Sequence, residues 1–255
     1  VVRDFIAKAK VVKEKTKKPL LSNTSGSGDM AMMMLQSAGA SLFDENGNPT
    51  ISGNQALLKS IETYKELVSS GVLTEVNSWD EYVGSFVNGN VAGTLNGVWI
   101  LGSVQTAKDQ SGKWAITNLP KLDGVTGATN YSANGGSSWA ISSNANYELA
   151  SDFLAKTFAG SKQLFDTILP SSGAVANWLP MADSSVYAEP QEFFGGQPVF
   201  QKVIEFSKQV PKNNTGVYYY EGRDAVSAAV TKIINGTDPA AALDEAQKTV
   251  EFAMK

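Results

Sequence analysis

Apolar residues recur at helical spacing from the first residues of the chain. Val2, Phe5, Ile6 and Ala9 share one face and lysines occupy the other, until Pro19 stops the pattern. SNTSGSGDM (22–30) is a run of small and polar residues that reads as a loop. Met30 to Gln36 restarts a helix that Gly39 closes, and DENGNPT (44–50) holds an Asn-Gly turn. Asn54 to Ser70 predicts a strong helix, with Leu57, Ile61, Tyr64 and Val68 on one face and Gly71 as its stop. Ser78-Trp79-Asp80-Glu81 has the form of a capping box, opening a short helix that carries Tyr82 and Phe86 and ends at Gly89.

Beyond that point the expected elements shorten. VAGTL leads as a strand into TLNGVWIL (94–101), where Asn96-Gly97 signals a tight turn with Trp99 just past it. A strand is expected from Trp114 to Leu119-Pro120, then a turn-rich connector over 122–130, then a glycine-led strand, GGSSWAIS (135–142). ELASDFLAKTFAG predicts a helix with Leu149, Phe153 and Leu154 facing a core, and Pro170 to Gly173 predicts a turn. Pro198 suits the first position of a helix bearing Val199, Val203 and Phe206. Two last helices run near 222–235, stopped by Gly236, and from Pro239 onward, capped by Thr237 or Asp238. No fixed-period repeat is visible. Helices interspersed with short strands make this an α/β chain with mixed connections.

Composition narrows the chemistry. At 255 residues with 42% hydrophobic and 18% charged positions, the chain can bury one large core or two ordinary ones. A net charge of −4 gives no electrostatic case for nucleic acid. The longest apolar run, MAMMML (30–35), is far short of a membrane span. Cysteine and histidine are both absent, which removes disulfides, thiol nucleophiles, imidazole or thiolate metal sites and Ser-His-Asp catalysis. The opening VVRDFIAKAKVVKEKTKKP has neither an initiator methionine nor a signal-peptide pattern, and it reads as the middle of a helix in a fragment or processed product.

Carboxylate pairs, serine-lysine pairs or a carboxylate-bound metal would be the remaining catalysts, and no spacing singles out two acidic residues that must meet. Asp44 and Glu45 lack the ligand ladder of a calcium loop and read as a solvated turn. Gly135-Gly136 has no basic residue placed to hold a phosphate. Aromatic residues sit instead where elements end: Trp99, Trp139, Trp178 and Tyr218-Tyr219-Tyr220. Such positions can line a cleft, and a flat ring flanked by polar groups suits the apolar faces and hydroxyl rim of a sugar. Packing is the competing role for each of them.

The order F-x-x-G-x-x-A-x-x-x-x-G-x-W, formed by Phe86, Gly89, Ala92, Gly97 and Trp99, resembles the extracellular solute-binding proteins of carbohydrate ABC transporters, the group of maltose-binding protein. LLSNTSGSGDMAMMMLQSAGASLFDENG, WAITNLPKLDG with NGGSSWAIS, PSSGAVANW, FFGGQPV and the closing A-A-V-x-x-I-I-x-G pattern are similar to the same family in the same order.

The resemblance implies a type II periplasmic-binding-protein fold, with two α/β lobes and a sugar or oligosaccharide held in the cleft between them. It implies that about the first third of the family's plan is absent. Residues 1–133 and 182–255 would then form the C-terminal lobe, and 134–181 part of the N-terminal lobe, partly exposed or covered by another copy or a missing segment. It places Trp99 as the main stacking aromatic and Asp29 in a ligand-facing loop. Gly135 and Gly136 fall where backbone approaches ligand. Trp139 suits core or cleft equally. Tyr220, Glu221 and Arg223 would precede the penultimate helix as a polar or aromatic clamp, with a surface salt bridge as the other role for Arg223. Gln197 is the last candidate. No cofactor, metal or catalysis is implied. The expected partners are a carbohydrate and the permease subunits, with the membrane reached only through a lipid anchor or the permease, at the cell surface or in the periplasm. A glycoside hydrolase and a carbohydrate-adhesion module are the alternatives.

Overall fold

The computed structural model describes residues 1–170 and 172–255. Its elements run α1 (Val2–Thr16), β1 (Leu21–Thr24), α2 (Asp29–Ser37), α3 (Gln55–Ser69), β2 (Leu73–Val76) and α4 (Trp79–Val87). They continue with α5 (Leu101–Val104), α6 (Tyr147–Lys156), α7 (Lys162–Ser172), α8 (Val199–Ser207), α9 (Tyr219–Ile234) and α10 (Pro239–Ala253). Two compact units result, one from Val1–Leu95, Asn118–Ala133 and Gln209–Lys255, the other from Asn96–Thr117 and Asn134–Lys208.

The first unit is built on a parallel pair. β1 and β2 align Leu21 with Leu73 through Thr24 with Val76, and the crossover between them carries α2 and α3. Parallel pairing requires such a crossover, so apolar residues collect on the helices around the pair. Leu35, Leu42, Phe43, Ile51, Leu57, Ile61 and Tyr64 are buried with Val226 and Ile233 of α9 and Val250 of α10. The methionine run is core-facing: Met30, Met32, Met33 and Met34 of α2 are all buried. No helix among the described residues is long and apolar enough to cross a membrane.

Local chemistry fixes the helix ends. Asn54 accepts the Leu57 N–H at 3.0 Å and donates its amide to the carbonyls of Ser41 and Thr50, at 3.1 and 2.9 Å. It therefore caps α3 and pins the loop before it. Ser78 accepts the Glu81 N–H at 3.2 Å, while the Glu81 carboxylate reaches the Asn77 N–H at 2.8 Å, one residue earlier than in a standard capping box. Of the two candidate caps for α10, Asp238 is the one used.

The second unit packs α5 and α7 together, and α8 against a 3-10 turn at Ser185–Ala188. Its buried residues include Ile100, Leu101, Val104, Phe165, Leu169, Met181, Tyr187, Phe193, Val199 and Phe200. α6 contributes none, and Leu149 and Phe153 are 69% and 58% exposed. The expected core role of that apolar face is overturned.

Several expected strands do not form. The segments at 91–95, 114–119 and 135–142 are irregular, because none finds a ladder partner and an unpaired strand has nothing to hold it. Conversely, Leu21–Thr24, mostly read as loop from its polar residues, is a strand because Leu73–Val76 pairs with it. The Asn96-Gly97 turn is also overturned: Gly97 has φ −70° and ψ 164°, and it leads into a 3-10 turn at Val98–Ile100. α7 continues through Pro170, and only Gly173, at φ 65°, closes it. α9 begins at Tyr219, so Tyr220, Glu221 and Arg223 lie within its first turns instead of before it. Pro198 caps α8 from outside.

Candidate functional site

Each unit presents one candidate surface. In the first, the loop Ser25 to Asp29 runs from β1 into α2 and faces the N-terminal half of α9. The approach is close: the Gly28 N–H donates to Ser227 Oγ at 3.1 Å, and Ser227 Oγ donates to the Arg223 carbonyl at 2.9 Å. A Cβ at Gly28 would lie 2.6 Å from Ser227 Oγ, so the contact requires glycine. Loop and helix border a cleft of about 500 Å³ lined by Ser25, Ser27, Asp29, Arg223, Asp224, Ser227 and Thr231, among others.

Arg223 bonds the Asp224 carboxylate through Nε and Nη2, at 3.3 and 3.1 Å, and its guanidinium lies 5.0 Å from the Tyr220 ring centre. Burial raises the Tyr219 phenol, and the nearby Arg223 charge opposes that shift. Tyr220 and Glu221 are exposed, whereas Asp29 and Arg223 are half-buried. Two carboxylates, a guanidinium and several hydroxyls converge here, a set that exchanges hydrogen bonds with polyhydroxylated molecules. Of the residues expected from the sequence, Asp29 and Arg223 meet in this cleft. Asp224, Ser227 and Thr231 went unread. Their signal was the spacing of Arg223, Ser227 and Thr231, four residues apart along one helical face.

In the second unit the segment from Asn96 to Trp99 is locked to the irregular segment at 134–136. The Trp99 indole N–H donates to the Asn134 carbonyl at 3.0 Å, and the Asn134 amide donates to Asn96 Oδ1 at 2.8 Å. Asn96 Oδ1 also accepts the Gly97 N–H at 2.8 Å. A Cβ at Gly97 would sit 2.5 Å from Trp99 Nε1 and 2.6 Å from the Asn134 carbonyl oxygen. Gly135 and Gly136 take φ of 91° and 124°, values suited to glycine, which carry the chain past the indole. Trp99 remains 43% exposed despite these ties.

Trp139 is a surface residue, 67% exposed, whose ring lies 4.4 Å from that of Phe158. Gln197 pairs with Gln191 in a two-residue bridge, and its side-chain oxygen accepts the Ile116 N–H at 2.8 Å. That oxygen organises a loop. Outside both surfaces, Asp44 Oδ1 accepts the N–H groups of Asn46 and Asn48, each at 2.8 Å. The Asn48 side-chain amide also donates to Asp44 Oδ2 at 2.9 Å, and this bond, followed by the backbone bonds, holds the carboxyl below the ordinary aspartate range.

Comparison with known proteins agrees with this architecture. The fold is that of the type II periplasmic sugar-binding proteins. A solute-binding protein of Thermotoga lettingae bound with α-D-tagatose superposes with TM-score 0.75 at 17% identity, covering 98% of this chain and 63% of that one. The galacto-N-biose/lacto-N-biose I-binding protein of Bifidobacterium longum gives 0.74 at 19%, covering 99% and 63%. In sequence, the lactose-binding protein of Rhizobium radiobacter is 36% identical over 248 residues, which are 97% of this chain and 58% of that protein. The profile described as bacterial extracellular solute-binding protein matches residues 2–194. The chain belongs to that family. It spans less than two thirds of the length of the relatives it matches.

Proposed function

We propose that this protein is the solute-binding component of a carbohydrate ABC transporter. It captures a sugar or oligosaccharide by non-covalent contacts, breaks no bond in it, and delivers it to the permease subunits. The observation that carries the reading is Trp99: a half-exposed indole held at its N–H edge, beside two glycines that let backbone come close. A ring fixed by its edge is prepared for stacking on the C–H face of a pyranose, with no loss of side-chain freedom on binding. The lactose-binding relative over nearly the whole chain supports a sugar ligand.

In the same proposal Trp99, Gly135, Gly136 and Trp139 supply stacking and backbone contacts. Asp29, Tyr220, Glu221 and Arg223 supply polar contacts, and Gln197 is the last candidate. Residues 1–133 with 182–255 are proposed as the C-terminal lobe, and 134–181 as part of the N-terminal lobe. The protein would act outside the cytoplasm, at the cell surface or in the periplasm. Titrating a glycan panel that includes lactose, while following tryptophan fluorescence and searching the mixture for products, tests the function. Saturable change with intact glycan is the expected result. Hydrolysed glycan would replace this reading with a glycosidase, and no saccharide dependence would leave it without support.

A further inference from the structure

Charge is distributed very unevenly along this chain. Residues 1–18 hold seven of the 21 Lys and Arg but only two of the 25 Asp and Glu, so this stretch is strongly positive in a protein of net charge −4. The stretch is α1 and its C-terminal cap. Val2, Ile6 and Ala9 turn inward, and Lys8, Lys10, Lys15, Lys17 and Lys18 are exposed.

The nearby acids do not neutralise this face. Asp123 faces Arg3 at 3.6 Å, and Asp4, one helical turn before Lys8, makes no ion pair with it. Lys13 and Lys18 donate to the carbonyls of Ser70 and Gly89. Lys8, Lys10, Lys15 and Lys17 make no side-chain hydrogen bond or ion pair among the described residues, and Glu14 is the one acid between them on the helix.

Helix energetics explain part of the pattern. Cations in the last turn complement the helix dipole, which accounts for Lys13 and Lys15 but not for Lys8 and Lys10 in the middle of α1. Lys17 runs against local energetics. At φ 62° it is the one non-glycine residue of positive φ among the described residues, at a helix end where glycine is the low-energy choice.

We propose that the outer face of α1 is an electrostatic docking surface for anionic phospholipid headgroups. The cations spread over about 22 Å of helix with no cavity among them. All but Arg3 are lysines, point charges on flexible stems that suit a diffuse, fluid layer of phosphates. An acidic protein partner would instead favour arginine forks and aromatic anchors, and Val11 is the one large apolar residue exposed on this face. Because the apolar face of α1 is already buried in the first unit, the contact is peripheral and inserts nothing into the bilayer.

Vesicle flotation of the protein tests this, using phosphatidylcholine alone and phosphatidylcholine mixed with phosphatidylglycerol. Binding is expected only to the anionic vesicles, and it should fall as salt rises. Replacing Lys8, Lys10, Lys15 and Lys17 together by glutamine should weaken it at least about tenfold with the melting temperature retained. A control variant with Lys162, Lys208, Lys248 and Lys255 changed to glutamine should bind as the parent does. Lys17→Gly alone should raise stability while lowering binding. No association with anionic vesicles, equal association with neutral ones, or an equal loss in the control variant would overturn the proposal. So would tighter association with soluble polyglutamate than with the anionic vesicles.

Discussion

Trp99 and Asn134 are joined by a 3.0 Å hydrogen bond from the indole N–H to a backbone carbonyl, which fixes the ring while leaving it 43% exposed. A residue so placed contributes little to a core. Trp99→Ala is therefore expected to weaken sugar binding about tenfold or more while changing stability by no more than about 1 kcal/mol. Titration together with a thermal melt measures both. A collapsed melt would make Trp99 a packing residue and withdraw it from the proposed site.

Gly97 tests the same locking from the other side. Its φ of −70° is one that alanine adopts without strain, so backbone conformation does not explain the glycine. Space does: an added methyl would meet Trp99 Nε1 at 2.5 Å and the Asn134 carbonyl at 2.6 Å. Gly97→Ala should cost about 1–3 kcal/mol and shift the tryptophan emission. Made in a Trp99→Phe background, the same change should leave the emission unaltered.

The parts of the fold legible in the sequence are those governed by short-range chemistry. The Leu57, Ile61 and Tyr64 stripe, the Ser78 cap and the stops at Gly71 and Gly236 need only neighbours a few residues away, and the structure has all of them. Strands depend on distant partners. Leu21–Thr24 gained one from Leu73–Val76, and the Trp139 segment gained none, though the second reads as more β-prone. In the candidate site, individual aromatic and acidic residues could be named from the sequence. The closeness of Gly97 to Asn134 could not, because it spans 37 positions of chain and concerns an atom that glycine lacks.

Tyr64 provides a pH signature for the first unit. Its hydroxyl donates to the Glu75 carboxylate at 2.8 Å and accepts from the Asn23 amide at 3.0 Å, inside the core. Burial pushes the phenol far above the ordinary tyrosine value of 10.0, with Asn23 opposing and Glu75 reinforcing the shift. In the unfolded chain the phenol loses its proton near pH 10, whereas the folded protein keeps it, so the folded state binds more protons and stability falls as pH rises. Tyr64→Phe should cost about 1–2 kcal/mol at neutral pH, by leaving Asn23 and Glu75 without their partner. Denaturation curves above pH 10 should show that gap narrowing, by up to about 1.4 kcal/mol per pH unit. A gap independent of pH would mean that Tyr64 ionises equally in both states.

Two leucines on helices of similar amphipathic pattern should respond oppositely to truncation. Leu57 of α3 is wholly buried against the core of the first unit, and Leu149 of α6 is 69% exposed. Leu57→Ala removes packed methyl groups and leaves a cavity, for an expected loss of about 2–5 kcal/mol. Leu149→Ala removes atoms that water already reaches, so the expected change is within about 0.5 kcal/mol. Phe153, one turn further along the same face and 58% exposed, should behave like Leu149. Denaturant titration of the three variants separates these outcomes, and repeating it across protein concentrations adds a second axis. Should Leu149→Ala prove costly, and more so at high concentration, the apolar face of α6 is covered by a second copy in solution. A large cost independent of concentration would mean that the face is buried within a single chain.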